Sequence, residues 1–297
     1  MQPLVAWLVA RPQNAVLALV ATLLLPLLKI VSGIIMVVLV LRQGAGRATL
    51  EGLAAGVLLA IVGAIAGAPV TEVAIAMATV WLPAVVLAVV LQLTRSVTLT
   101  LQVAALLAGL ATAAFYVVVP DPVAWWQPVT EKLLAWARDN DLSQQAQVME
   151  AEPAMTANMM TMAVVLSSWT LATVYLLFGY RASSSLPGGS RNYGRFCDLN
   201  FGRVLALMTV LLATLAFASG AAWLQSTGLV LFAVFWLQGL AIVHWLHAAG
   251  NLPLFVLFVT YGMLLMPMLN VALILALAVL GYTDAWFRFR RRAVKQS

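Results

Sequence analysis

Residues 14–41 read NAVLALVATLLLPLLKIVSGIIMVVLVL, a run whose only charged side chain is Lys29. Crossing the hydrocarbon core of a bilayer takes about 20 apolar helical residues, so this stretch is long enough to span a membrane with residues to spare. The pattern recurs at 50–67, 73–91, 99–119, 157–179, 204–223, 228–247 and 252–281. These runs explain a chain that is 64% hydrophobic and only 9% charged. The expected fold class is an all-α polytopic membrane protein, a bundle of about eight transmembrane segments.

Nothing between the runs is long or apolar enough to bury a core of its own, so 1–297 reads as a single transmembrane domain. The first ten residues lack the positive region of a signal peptide, and no small-residue cleavage site follows, so the first segment is expected to be retained. The lone Cys197 excludes an intramolecular disulfide and a cysteine metal site. Basic residues gather in four places: Arg42 with Arg47; Arg95; Arg181, Arg191, Arg195 and Arg203; and Arg288, Arg290, Arg291, Arg292 and Lys295. By the positive-inside rule all four are cytoplasmic, including the loop 180–203 and the tail 284–297. The connection 120–156 carries Asp121, Glu131, Asp139, Asp141, Glu150 and Glu152 against Lys132 and Arg138, and falls outside. Orientation accounts for the scattered basic residues, which argues against nucleic-acid binding.

Three runs separate Arg203 from the basic tail, and an odd number of crossings cannot return the chain to the same side. One run must be irregular. The run 252–281 has Pro267 and Asn270 at its middle, where proline removes a helix hydrogen bond, and is predicted to be two half-helices in a bent hairpin. Pro26 can interrupt the first run in the same way. The loop 182–190, rich in serine and glycine, reads as a flexible linker.

Few polar groups lie within the runs. If 14–41 is one helix, Lys29 sits about 20 Å from Arg42 by helical rise, too deep to snorkel, and should meet a cavity, a carboxylate or a ligand. If the run breaks at Pro26, Lys29 lies near an interface. Ser32 and Gly33 share its face. Asn158, Thr161, Ser168 and Tyr175 form a polar stripe on the fifth run, suited to bonding neighbouring helices or to lining a cavity. Lys29, Ser32 and this stripe are the candidate ligand contacts. Gly52, Gly56, Ala60, Ala64 and Ala68 recur every fourth residue and offer a smooth face to a packed helix or to a partner protein. In 120–156, the helical spacing of Trp126, Val129, Leu133, Trp136 and Ala137 predicts an amphipathic helix, an interfacial anchor or a lid.

Met149, Met155, Met159, Met160 and Met162 are soft groups, but no cysteine or external histidine joins them, and filler is the plainer reading. His244 and His247 have a spacing that can share a metal, although bonding to loop carbonyls is commoner and no third ligand is evident. No metal site and no cofactor are expected. The chain has no His-Glu-x-x-His, P-loop or Gly-x-Ser-x-Gly motif and no pair of carboxylates inside the runs, so no catalytic residues are assigned and the protein reads as a non-enzyme.

Gln238-Gly239-Leu240-Ala241 with His244, the turn Gly250-Asn251-Leu252-Pro253, and Gly281 with Asp284-Ala285-Trp286-Phe287-Arg288-Phe289-Arg290 together resemble the YybS-like family of bacterial membrane proteins. The matched positions are Gln238, Gly239, His244, Pro253, Gly281, Asp284 and Arg290, and the resemblance assigns no role to any of them. It implies a bundle like the substrate-binding S components of energy-coupling-factor transporters, in a bacterial plasma membrane with the C-terminus cytoplasmic. It further implies a small nutrient bound toward the outer side under a loop, and small-residue faces that dock a partner membrane subunit. The functional expectation is therefore small-molecule binding for uptake. The alternative is a membrane scaffold or assembly factor acting through its cytoplasmic loops and basic tail, where Trp286, Phe287 and Phe289 adjoin the arginines and suit anionic lipid.

Overall fold

The computed structural model describes residues 2–67, 69–185 and 192–290, and every regular element among them is helical. Ala68, the Pro187 to Ser190 linker, Arg191, Arg291, Arg292 and Lys295 lie outside the described residues. The helices are α1 (Gln2–Ala10), α2 (Pro12–Leu24), α3 (Lys29–Gln43), α4 (Ala45–Ile65), α5 (Val70–Thr94), α6 (Val97–Val118) and α7 (Pro122–Asp139). Then follow α8 (Ser143–Ala151), α9 (Pro153–Ser184), α10 (Gly202–Ser219), α11 (Ala222–Ala233), α12 (Phe235–Ala248), α13 (Leu254–Leu265) and α14 (Pro267–Phe287). Among the described residues, eight helical stretches are long and apolar enough to cross a membrane. Large apolar side chains are exposed along them, such as Ile61, Leu82, Leu110, Leu211 and Val271. A surface of that kind is stable against lipid and not against water. The chain is an integral, multi-pass membrane protein.

Both long runs break at proline. Leu25 is extended (φ −94°, ψ 115°) ahead of a 3-10 turn at Pro26–Leu28, and Met266 (φ −89°, ψ 115°) interrupts the chain before Pro267. The cause is the clash between a proline ring and the residue before it, which drives that residue out of the helical region. The stretch 14–41 is therefore not one helix, and Lys29 opens α3. In the last run the two pieces are unequal: α14 contributes a 19-residue candidate span (Leu269–Phe287), whereas α13, with 12 residues, falls short of one. The boundary near 223 also shifts, because Gly220 in the left-handed region (φ 66°) ends α10 and Trp223 belongs to α11.

The chain forms two compact units. The first comprises Met1–Ala104 and Ser168–Phe196. Its α1 and α2 meet at 115° beside Arg11. The Trp81 indole N–H donates to Ser32 Oγ at 2.8 Å, and the Gln92 amide donates to the Val40 carbonyl at 2.7 Å. These two rungs set α3 and α5 parallel. Gly33 lies under the Tyr175 ring and Gly179 under Val37, so α9 runs in the same direction. Arg42, Arg95 and Arg181 consequently arrive at one end of the unit, where the Tyr193 N–H donates to the Tyr180 hydroxyl and the Gln2 amide to the Ser185 carbonyl. That convergence has the charge grouping on which the positive-inside argument rests.

On α4, Gly52 abuts Met36 and Gly56 abuts Met77, so the small face is used inside the unit there. Ala60 is half-buried and Ala64 exposed, so coverage of this face thins toward the C-terminal end of α4.

The second unit comprises Ala105–Ser167 and Cys197–Ser297. Its central element is the nearly continuous Ala222–Ala248 helix, with 61% of its apolar window buried. Gly228 faces Leu212 and Ala213 of α10. Farther along, α12 crosses α14 at backbone contact: a Cβ on Gly239 would stand 2.0 Å from the Leu277 carbonyl oxygen, and one on Gly281 would stand 2.1 Å from that of Phe235.

Candidate functional site

Polar side chains of the second unit gather in two places. The first is built on the start of α9. Pro153 at its first turn suits a helix start, since the missing N–H would have no intrahelical partner. From there Asn158 and Thr161 reach different neighbouring helices. The Tyr116 hydroxyl donates to Asn158 Oδ1 at 2.7 Å and lies 2.8 Å from Ser226 Oγ, joining α6, α9 and α11. With the tyrosine proton committed to Asn158, Ser226 is the donor of the second bond.

Thr161 accepts the Trp126 indole N–H at 2.9 Å while donating to the Ala157 carbonyl. Trp126 thereby pins α7 to α9. Asp121 starts α7 by accepting the N–H groups of Val123 and Ala124, an N-cap that the sequence Asp-Pro favours. Of the amphipathic face, Ala137 is buried and Trp126 half-buried, whereas Val129, Leu133 and Trp136 stay exposed. The helix thus rests on protein through Trp126 and leaves three apolar side chains uncovered.

Between α7, α8 and the first turn of α9 lies a cavity of about 160 Å³, lined by Gln127, Thr130, Glu131, Met149, Glu150 and Ala157 among others. The Gln127 amide donates to Glu131 at 2.9 Å, and Glu150 pairs with Arg138, which ties α8 to α7. The cavity lining is mainly apolar, and the two carboxylates at its rim are engaged by Gln127 and Arg138. The volume is below the roughly 300–1,000 Å³ of drug-sized sites.

The second cluster joins the two ends of the family-like motif. Asp284 is fully buried, and its Oδ2 accepts from Arg290 Nη2 at 2.8 Å and from the Gln238 amide at 3.0 Å. Gln238 Oε1 accepts the Phe201 N–H at 2.7 Å. Arg290 also donates to the carbonyls of Cys197 and Leu199, each at 2.6 Å. Arg288, left-handed at φ 52°, turns the chain so that Arg290 points back at α14. One guanidinium satisfies two loop carbonyls and a carboxylate, so the stretch leading into α10 is fastened to the end of α14.

The candidate ligand contacts divide between the two units, Lys29, Ser32, Ser168 and Tyr175 in the first and Asn158 and Thr161 in the second. Lys29 is exposed at the start of α3, Ser32 is occupied by Trp81, and the Tyr175 ring packs on Gly33. Ser168 keeps the helical phase of the stripe but is exposed. Asn158 and Thr161 serve helix-to-helix bonds. His244 bonds the Tyr261 hydroxyl at 2.7 Å and His247 the Leu252 carbonyl at 2.9 Å, so the two imidazoles turn to separate partners. Pro253 precedes α13 as its N-cap. Among the described residues no three His, Cys, Asp or Glu side chains form a metal-binding group. Tyr116, Trp126 and Ser226 went unread in the sequence as polar partners; an aromatic with a polar tip inside an apolar run was the available signal.

No protein-family model, no curated protein and no solved structure matches the chain.

Proposed function

We propose that this protein is a YybS-like, S-component-like solute-binding membrane protein that serves uptake, with its site beneath the α7–α8 hairpin on the outer side. The observation that carries the reading is the cavity closed by that hairpin, with Glu131, Glu150 and Gln127 at its wall and the Trp126–Thr161 bond holding its cover to α9. The acidic connection suits a solute that is small and cationic or rich in donors. On this reading the protein is not an enzyme, needs no cofactor, and docks a partner membrane subunit through small-residue surface such as that around Ala64. The setting is a bacterial plasma membrane with the C-terminus inside.

Native mass spectrometry on the full chain, extracted gently from its own membrane, tests this. A stoichiometric small adduct, or copurifying transporter subunits, is expected, and Glu131→Gln with Glu150→Gln should lower adduct occupancy about tenfold, since a lost charged contact removes roughly 1.5–3 kcal/mol. A protein that carries lipids alone, or only an unrelated protein partner, overturns the uptake reading in favour of the scaffold. The scaffold reading draws on the Arg290 anchor, which holds the start of the basic tail in a defined place.

A further inference from the structure

A groove of about 610 Å³ runs between α10 and α11, and it lies outside the solute site. Its walls are Val210, Ala213 and Phe217 on α10, Gly228 and Leu229 on α11, and Tyr282 at one end. The absence of a side chain at Gly228 opens the floor. Thr209 and Thr214 line it as well, but their hydroxyls donate to Leu205 and Val210 carbonyls one turn back, so they present methyl groups; Gln225 adds an amide to a lining that is otherwise mainly apolar. Such a groove on a membrane-spanning surface suits a hydrocarbon chain.

Charge marks one end. Residues 203, 210 and 217 share a helix face at seven-residue spacing, which puts Arg203 below Val210 on the side of α10 that forms the groove. The Tyr282 hydroxyl reaches the Ala206 carbonyl at 3.5 Å, its ring meets Trp286 edge-on, and the Trp286 carbonyl accepts from Arg203 Nη2 at 3.2 Å. Arg203 is exposed, and that bond occupies one of its five N–H donors. Arg288, also exposed, follows Trp286 by two residues. From Arg203 to Phe217 the helix rises about 21 Å, enough for a headgroup and a chain running through one leaflet of roughly 15 Å.

We propose that this groove is a specific site for an anionic phospholipid, with the phosphate held by Arg203 and Arg288 and one acyl chain lying between α10 and α11. Basic pockets between membrane helices have the chemistry to select such headgroups, and the planar guanidinium offers paired N–H groups to phosphate oxygens.

The test mixes the purified full-length protein in detergent with equal amounts of dioleoyl phosphatidylglycerol and dioleoyl phosphatidylcholine, and counts bound lipids by native mass spectrometry. One phosphatidylglycerol per chain is expected, favoured about tenfold. Arg203→Gln should cut that preference about fivefold, in keeping with one arginine near a lipid headgroup, while Arg203→Lys, which keeps the charge and loses the paired N–H groups, should fall between the parent and that variant and so separates charge from folding. Thr214→Phe, which fills the groove without touching charge, should reduce retention of both lipids. Millimolar inorganic phosphate should not displace the adduct, because the chain supplies much of the binding. Equal binding of the two lipids overturns the site. So does a preference that survives Arg203→Gln, or retention that Thr214→Phe leaves unchanged.

Discussion

Glycine is used for close approach in both units, yet against different neighbours. On α4 of the first unit, a Cβ at Gly52 or Gly56 would meet the terminal methyl of Met36 or Met77. At the α12–α14 crossing of the second unit, a Cβ at Gly239 or Gly281 would meet carbonyl oxygens of Leu277 or Phe235. A methionine end can swing away, since three rotatable bonds separate it from the backbone. A carbonyl inside a helix moves only if the helix moves. Small-xxx-small spacing therefore says that helices approach closely, and what stands opposite decides how much the approach constrains.

The buried ion pairs differ in the same way. In the first unit the buried Glu51 pairs with an Arg47 that is 56% exposed, whereas the second unit buries both members of its pair, Asp284 and Arg290, whose side chains are 1% and 11% exposed. Asp284→Asn has the largest expected effect. It strips Arg290 of its counter-charge and should cost about 3–5 kcal/mol, as for other broken buried pairs. The midpoint of thermal aggregation in detergent should fall sharply, and a midpoint within error of the parent protein would refute this account of the anchor.

Next come the glycines. Gly239→Ala and Gly281→Ala should each cost about 1–3 kcal/mol or more through overpacking, while Gly52→Ala and Gly56→Ala should cost less than about 1 kcal/mol. Equal losses in the two pairs, measured side by side, would break the comparison.

Tyr116→Phe leaves Asn158 and Ser226 short of a partner and should cost about 1–3 kcal/mol. Trp126→Phe removes a single bond at the edge of the bundle, about 1 kcal/mol. Its sharper readout is hydrogen exchange, which should quicken across α7 and α8 and stay unchanged on α12. Lys29→Ala should lie within about 0.5 kcal/mol of the parent, the range for exposed positions, and should leave any copurifying solute in place.

Much of this was legible in advance, and the particular residues show why. Pro26 and Pro267 announced their breaks because the clash of a proline with its predecessor is local. The face of Gly52 and Gly56 was readable from spacing alone. Lys29 was ambiguous for a specific reason: its depth depended on whether the helix continued through Pro26, and a rise of 1.5 Å per residue applies only to an unbroken helix. The short α1 and its sharp turn at Arg11 escaped notice because the run was sought by length, and nine residues do not make a crossing. The spacing of the polar stripe on α9 gave a direction for Ser168 but not what stands there, since phase carries no information about neighbours.

Apolar run length, proline position and the placement of charge by themselves determined that this chain is a helical membrane protein with interrupted first and last runs. They suffice because in lipid each backbone must close its own hydrogen bonds, which makes the helix a property of the local segment. Only the tertiary structure decided that Tyr116 meets Ser226, 110 residues on, or that Gln238 meets Asp284, 46 residues on. Such pairings depend on which helices lie side by side and at what height, and neither run length nor helical phase carries that information.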